Sequence, residues 1–421
     1  MVRGLVWSGL ARFREDQSRY RWYALGVTTF TQAASSAVTS ALGPLAPLLM
    51  AQFAISRGEV GLVQTAVYLS ATWSALVGGR LADRVGERSV LIVSGIITGV
   101  GAIAAAFAGP FWAFLVAAFI LGLGTGVQNP AGSAAVMRWF PPRRRGFAMG
   151  IRQTGVPVGG VLAATLWPWV ATAWGWRATY GLAGAMAIFG TAVVLLSYFD
   201  PARETGSGTG MRSLRNLMTD RRLWLLALTY NGQIVAQYSV TVYLVLFFHE
   251  ALGFSLIVAA GLLALVNAVA IGGRIGWGLA SDALFDGARR PVLLIIIALT
   301  FAGMLMAAAL PAGAPLGLTI ALAILLGLSA FSWTGMYGTL AIELAGSASA
   351  ASAVAWVHVL GGVGSLGGAP LFGYLVDHTG SYRVAWLAVA LAVLVGFIAT
   401  LALREGSPYT DATATDTSRR T

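Results

Sequence analysis

Long apolar stretches alternate with short polar segments along the whole chain. A helix needs about 20 consecutive apolar residues to cross the roughly 30 Å hydrocarbon core of a bilayer. Twelve stretches are long enough, and we predict that each is a membrane-spanning helix, numbered here as spans 1 to 12. Their predicted bounds are 22–50, 59–80, 89–109, 111–137, 146–173, 178–199, 222–249, 255–281, 291–311, 315–341, 349–376 and 382–404.

The composition excludes whole classes of protein. Of the 421 residues, 57% are hydrophobic and 10% are charged, whereas soluble domains carry roughly 25% charged residues. The chain is therefore not expected to be a soluble enzyme or a transcription factor. It contains no Cys, which excludes disulfides and thiolate metal sites. Because span 1 lacks a small-residue cleavage site, we do not expect a removable signal peptide.

Arginine is unevenly distributed between the two sides of the predicted membrane. All 27 basic residues are Arg, and 22 of them lie in the terminal segments or in the loops that follow even-numbered spans. Only Arg57, Arg177 and Arg383 lie in the other loops. Short Arg-rich loops stay in the cytoplasm, so we predict that both termini are cytoplasmic, at the inner (plasma) membrane if the host is bacterial. The same distribution explains the net charge of +11, so this charge does not indicate binding to nucleic acid.

A polar stretch at 200–221 divides the spans into two sets of six. The two sets echo each other, because the sequence GRLAD at 79–83, after span 2, matches GLASD at 278–282, after span 8. Such a repeat indicates two related halves. The predicted organisation is a cytoplasmic N-terminal segment (1–21), an N-terminal six-helix bundle (22–199), a cytoplasmic linker (200–221), a C-terminal six-helix bundle (222–404) and a disordered cytoplasmic tail (405–421).

The segment 79–88, GRLADRVGER, resembles the most recognisable signature of the major facilitator superfamily. The resemblance implies an all-α membrane protein of twelve transmembrane helices, with two pseudo-symmetric six-helix bundles that open a central cavity to each side in turn. An acid at the end of span 2 can pair with Arg and with a helix start. The predicted gating residues are Asp83, Arg84, Arg88 and Asp282. The alternative is that Asp83 and Arg84 only anchor a tight turn.

Three groups that can carry a positive charge lie inside predicted spans: Arg152 in span 5, Arg274 in span 8 and His358 in span 11. A charge at the bilayer centre costs roughly 2.5–3.5 kcal/mol on insertion scales, so each is a candidate functional residue. All 16 Asp and Glu can be assigned to span ends, loops or terminal segments. We therefore predict a positive cavity that selects anions, because a guanidinium matches a carboxylate with two parallel hydrogen bonds.

The segment 267–278, NAVAIGGRIGWG, resembles the oxalate/formate antiporters and monocarboxylate transporters, in which the corresponding Arg binds the carboxylate. This assigns Arg274 to the substrate. The alternative is an Arg satisfied by backbone carbonyls at a Gly-rich kink. His358 stands where the resemblance places a Lys, and His titrates near neutral pH, so it is the candidate proton carrier; a neutral His bonded between helices is the alternative. His358 is also predicted to bind the substrate, and the other predicted substrate-binding residues are Arg152, Gln153, Gln237, Tyr238 and Asn267.

The predicted function is secondary active transport of a small organic anion, a mono- or dicarboxylate, by proton symport or anion exchange. The chain has no Lys and hence no phosphate-binding loop for ATP hydrolysis. The expected partners are the anion, a proton or counter-anion and the lipid bilayer, with no metal, cofactor, catalytic residue or nucleic acid, and the protein is expected to be a monomer. Two alternatives stay open: a multidrug or metabolite exporter of the same superfamily, and a non-transporting receptor-like protein.

Overall fold

The computed structural model describes residues 17–200, 220–345, 360 and 362–403, and nearly all of them are helical. His358, the tail 405–421 and most of the linker 200–221 and of the segment 1–21 lie outside the described residues. The helices are Gln17–Thr39, Leu42–Phe53, Arg57–Val85, Glu87–Ala106, Phe111–Trp139, Pro142–Gln153, Gly155–Ser197, Arg221–Leu246, Leu256–Leu284, Arg289–Ala309, Leu316–Leu328, Thr334–Ala345, Val363–Thr379 and Tyr382–Ala402, with a π-helical turn at Phe247–Ala251.

Within the described part of the chain, eight helical segments are long and apolar enough to cross a membrane. The segment Phe147–Ser197 contains two of the predicted spans, 5 and 6. Trp176 bonds to Gln52 at one end of span 1 (3.3 Å), whereas the Ser197 carbonyl accepts a hydrogen bond from Tyr20 at the other end (2.9 Å). The chain therefore reverses near Gly175, whose φ of 83° suits glycine.

Three further spans fall short of that length and hydropathy limit. Span 2 carries many polar residues, span 10 is divided into two short helices, and the described part of span 11 has 17 residues. The eight segments contain nine of the predicted spans, and spans 2, 10 and 11 bring the number of passes to the predicted twelve. The predicted all-α fold is confirmed, with spans 1–6 packed as one half and spans 7–12 as the other.

The two ends of the molecule are named here by the residues that lie at them. Odd-numbered spans start at the terminal face and even-numbered spans start at the opposite face. Gln17, Asp200, Asp220 and Leu403 lie at the terminal face. Arg57, Gly175, Glu250 and Asp377 lie at the opposite face.

Glycines allow helices within a half to approach backbone to backbone. A Cβ on Gly124 of span 4 would lie 2.5 Å from the backbone nitrogen of Thr98 in span 3. A Cβ on Gly101 of span 3 would lie 2.5 Å from the backbone nitrogen of Leu121. Small residues stabilise such helix pairs in membranes because they maximise van der Waals contact.

Two helix breaks at mid-membrane depth position the candidate site. Span 5 is interrupted at Thr154, and span 10 is interrupted between Leu328 and Thr334. A break leaves backbone carbonyls without an N–H partner from their own helix. Inside a bilayer such carbonyls need donors from elsewhere in the protein or from water.

Candidate functional site

Arg274 of span 8 lies between the two helix breaks. Its Nε donates to the carbonyl of Phe331 in the break of span 10 (3.0 Å), and its Nη1 donates to the carbonyl of Gln153 at the break of span 5 (2.9 Å). Span 10 belongs to the same half as Arg274, and span 5 belongs to the other half. The guanidinium therefore joins the two halves at the middle of the molecule.

The two carbonyls are available because Phe331 lies in the break between two helices, and because the residue four positions after Gln153 is Pro157, which has no N–H to donate. Gln153 is the last residue of the helix Pro142–Gln153, and the C-terminal end of a helix carries a partial negative charge that favours a cation. This geometry matches the alternative in which backbone carbonyls satisfy Arg274, but it does so only in part. Among the described residues, none accepts a hydrogen bond from Nη2 and no acid pairs with the guanidinium.

Asn267 and Trp277 lie on either side of Arg274 along span 8. The Asn267 side chain is buried, donates to the carbonyl of Leu263 (3.0 Å), and packs directly against Gly160 of span 5. The Trp277 indole donates to the carbonyl of Leu328, the last residue before the break in span 10 (2.6 Å). Span 8 is thus fixed against span 10 in its own half and touches span 5 in the other half.

Arg152 of span 5 is fully buried inside the first half. Its Nη2 donates to Gln32 of span 1 (3.0 Å) and to the carbonyl of Gln128 in span 4 (3.3 Å). Its Nη1 donates to Asn129 (3.0 Å) and Ser133 (3.3 Å) of span 4. These acceptors are all neutral, and among the described residues no carboxylate pairs with Arg152. In this conformation the surrounding side chains separate Arg152 from any ligand.

Gln237 and Tyr238 are neighbours in span 7, but only Tyr238 contacts the other half. The Gln237 side-chain oxygen accepts a hydrogen bond from the indole of Trp333 (3.1 Å). The ring of Tyr238 lies against the ring of Tyr68 in span 2, with 4.1 Å between their centroids. Tyr68 and Tyr238 therefore meet across the two halves, on the side of the centre that leads to the opposite face.

The predicted gating residues lie at the terminal face. Arg84 is exposed, and Asp83 lies in the helix Arg57–Val85, with a side chain outside the described part of the structure. The Nη2 of Arg88 donates to the carbonyl of Leu195 in the same half (2.6 Å). Asp282 pairs with Arg289 in its own half (2.7 Å). In this conformation these observed contacts of Arg88 and Asp282 do not cross between the halves.

Side chains that the sequence patterns did not mark join the halves at the opposite face. Arg57 at the start of span 2 forms ion pairs with Glu250 (2.8 Å) and Asp377 (3.2 Å) of the other half. The only signal in the sequence was that Arg57 is one of three Arg in the loops on that side. Its partners are 193 and 320 residues away along the chain.

Comparison with known proteins agrees with this architecture. The sequence profile of the Major Facilitator Superfamily matches residues 28–367. The chain belongs to that superfamily. The predicted resemblance is confirmed, and the protein is a membrane transporter of the Major Facilitator Superfamily rather than an enzyme.

Two relatives and one solved structure illustrate the similarity. The chain is 28% identical to the "probable sulfoacetate transporter" of Cupriavidus necator over 85% of this chain and 87% of that protein. It is 28% identical to monocarboxylate transporter 13 of Bos taurus over 76% of this chain and 74% of that protein. A bacterial homologue of the human lysosomal transporter Spinster, in an inward-facing and occupied conformation, has the same fold at a TM-score of 0.75 and 17% identity, covering 91% of this chain and 97% of that one.

Proposed function

We propose that this superfamily member transports a small organic anion with a carboxylate group and that Arg274 binds the carboxylate. The observation that carries the proposal is the position of Arg274 between the halves with its Nη2 unbonded among the described residues. The names of two relatives, a sulfoacetate transporter and a monocarboxylate transporter, agree with an acidic substrate of this kind.

The electrostatics of the centre favour an anion. Arg152 and Arg274 each carry a charge that neutral groups and carbonyl dipoles stabilise, with no acid paired to either among the described residues. An uncompensated cation in a low-dielectric interior is unfavourable, and a bound carboxylate would relieve that cost. Arg152 contributes to the positive potential in this conformation. Direct contact between Arg152 and substrate requires rearrangement of spans 1, 4 and 5.

Transport follows by alternating access, in which the halves rock around the bound anion. When the terminal face closes, Asp83, Arg84, Arg88 and Asp282 form its gate. His358 accepts the proton in symport, and anion exchange is the variant without that step. Asn267, Gln153, Gln237 and Tyr238 supply neutral contacts around Arg274. Both termini lie in the cytoplasm, following the Arg-rich loops of the terminal face.

The test is uptake by the purified protein in liposomes under an imposed pH gradient. Labelled sulfoacetate and a panel of mono- and dicarboxylates serve as substrates. Uptake is expected to fall about 100-fold in Arg274→Ala, which corresponds to about 2.7 kcal/mol. In Arg383→Ala, which removes an exposed Arg at the opposite face, uptake stays at the parent rate. In His358→Ala the dependence on the pH gradient disappears.

Two other results would assign a different function. If cationic dyes move and no carboxylate does, the protein is an exporter of the same superfamily, and Arg274 serves only to satisfy the carbonyls of Phe331 and Gln153. If a carboxylate binds to the protein without crossing the membrane, the receptor-like alternative replaces transport. Equal uptake by the parent protein and Arg274→Ala would contradict the role of Arg274 directly.

A further inference from the structure

Arg57 gathers three side chains of the second half at the opposite face. Its Nη2 lies 2.8 Å from Glu250 Oε2 at the end of span 7, and its Nη1 lies 3.2 Å from Asp377 Oδ1 at the end of span 11. Its Nε donates to the hydroxyl of Tyr382 at the start of span 12 (3.3 Å). Tyr382 in turn donates to Glu250 (2.6 Å). One cation from the first half thus holds two carboxylates from the second half.

The backbone of span 2 takes part in the same contact. Asp377 Oδ2 accepts from the backbone N–H of Gly58 (2.8 Å), and Oδ1 accepts from the backbone N–H of Arg57 (3.3 Å). The first N–H groups of a helix have no partner within the helix and carry a partial positive charge. Asp377 therefore stabilises the start of a helix in the other half, and separation of the halves would remove that partner.

Next to these charges, towards the centre of the molecule, spans 2 and 11 are in direct contact. A Cβ on Gly61 would lie 2.5 Å from the backbone nitrogen of Pro370. Thr65 donates to the carbonyl of Leu366 (2.6 Å). The Tyr243 hydroxyl of span 7 lies 2.8 Å from the Arg57 carbonyl oxygen and 2.7 Å from that of Ala369. The opposite face is therefore closed by two layers, one ionic and one of direct backbone contact.

The other ion pairs in which both partners are described join residues of the same half. Arg138 pairs with Glu87 in the first half, and Arg289 pairs with Asp282 and Glu343 in the second. The pairs of Arg57 are the ones that cross between the halves in the part of the chain that the structure describes. The side chains of Arg57, Glu250 and Asp377 are 30%, 26% and 18% exposed, so water screens them less than fully exposed surface pairs.

We propose that Arg57, Glu250, Asp377 and Tyr382 form a latch that keeps the opposite face closed and opens once in each transport cycle. The four residues are called the Arg57 latch below. The proposal rests on the alternating-access part of the proposed function and is independent of which anion is carried. Release of the latch separates span 2 from spans 7, 11 and 12 and exposes the centre to the opposite side.

The test is a pair of spin-label distance measurements in proteoliposomes without substrate. The chain has no Cys, so pairs of Cys can be introduced into the parent protein directly. The first pair, Phe107→Cys with Leu316→Cys, places exposed labels at the opposite face, one in each half. The second pair, Phe147→Cys with Leu284→Cys, does the same towards the terminal face.

Glu250→Gln combined with Asp377→Asn removes both carboxylates and keeps the shapes of the side chains. We expect the population with a longer distance at the opposite face to rise at least about tenfold, accompanied by a shorter distance at the terminal face. Arg383→Gln is the matched control, because Arg383 is exposed at the same face and forms no ion pair or hydrogen bond among the described residues. Its distances should equal those of the parent. Tyr382→Phe, which removes one hydroxyl, should give a smaller shift in the same direction.

Two results would overturn the latch. Unchanged distances at the opposite face in both Glu250→Gln/Asp377→Asn and Tyr382→Phe would show that the ion pairs do not hold this face closed. A longer distance at the opposite face with an unchanged distance at the terminal face would show local loosening without the alternating movement. Because no substrate is present, failure of carboxylate transport in the uptake assay would leave these outcomes unaffected.

Discussion

Arg152 and Arg274 are the two arginines inside the spans. They differ in how many groups accept their hydrogen bonds and in which half of the molecule those groups lie. Arg152 is fully buried and donates to Gln32, Asn129, Ser133 and one carbonyl, all within the first half. Arg274 is half-buried and donates to two backbone carbonyls, one in each half. Each guanidinium keeps one nitrogen unbonded among the described residues, but the Arg152 Nε is buried inside its own half, whereas the Arg274 Nη2 lies at the boundary between the halves.

The difference teaches that depth in the membrane alone does not identify a substrate-binding residue. A buried charge needs partners, and the partners can come from the protein or from a ligand. The bonds of Arg152 move with one rigid half and can persist through a rocking motion. In the proposed alternating-access cycle, the bond of Arg274 to the Gln153 carbonyl joins groups that would move apart. Arg274 is therefore the residue at which ligand binding and movement of the halves can be coupled.

The largest expected effect is the loss of stability on removing Arg152. Arg152→Met leaves Gln32, Asn129, Ser133 and a carbonyl without their donor in a buried place, and we expect the free energy of unfolding to fall by about 3 kcal/mol or more. Arg274→Met is the matched variant and should cost about 1 kcal/mol, because water in the opened cavity can reach its acceptors. Denaturant unfolding in detergent measures both. Equal losses would remove the distinction between the two arginines.

A smaller effect is expected from the glycine that makes room for Arg152. A Cβ on Gly132 of span 4 would lie 2.5 Å from Arg152 Nε, and overpacking of this kind costs about 1–3 kcal/mol. We expect Gly132→Ala to lower the free energy of unfolding by about 2 kcal/mol. A Cβ on Gly272, two residues before Arg274, would have no neighbouring atom within 4 Å, so Gly272→Ala should be neutral or slightly stabilising. A neutral Gly132→Ala would mean that Arg152 shifts freely, contrary to its enclosure.

The smallest effect concerns the shape of the Arg274 cation. Arg274→Lys keeps the charge but replaces a planar guanidinium with a compact ammonium. The ammonium cannot bond to both carbonyls, of Phe331 and Gln153, and at the same time to a carboxylate with the geometry of the guanidinium. We expect the dissociation constant of the transported carboxylate to rise about tenfold, or about 1.4 kcal/mol. Isothermal titration of the purified protein measures it. Affinity equal to that of the parent would show that charge alone, and not the planar shape of the guanidinium, holds the anion.

The interrupted helices mark the limit of what the patterns along the chain could predict. The break in span 5 lies beside Gly155 and Pro157, which weaken a helix and were visible in the sequence. The break in span 10 carries neither Gly nor Pro between 329 and 333. There, the side chains of Ser329 and Ser332 donate to the carbonyls of Leu325 (2.7 Å) and Gly327 (2.6 Å). These bonds compete with the backbone hydrogen bonds of the helix. Many serines lie in helices without interrupting them, so the two serines alone did not predict this break.

The latch shows a second limit. Arg57, Glu250 and Asp377 each lie at the end of a span, where a charged residue is ordinary. Nothing in their local sequence distinguishes them from Arg383, which is exposed at the same face. Their meeting depends on how the two halves pack, because the pairs join residues 193 and 320 positions apart.

The order of apolar and polar residues was enough to predict the spans and the two arginines inside the membrane, because hydrophobic length and the cost of a buried charge are local properties. The repeated motif at 79–83 and 278–282 indicated the relation between the halves, and the resemblance of segment 79–88 indicated the superfamily. The acceptors of each arginine, the carbonyls freed at the breaks and the face at which the halves are closed were decided by tertiary structure. Those features depend on contacts between distant segments, and such contacts exist only once the helices have packed.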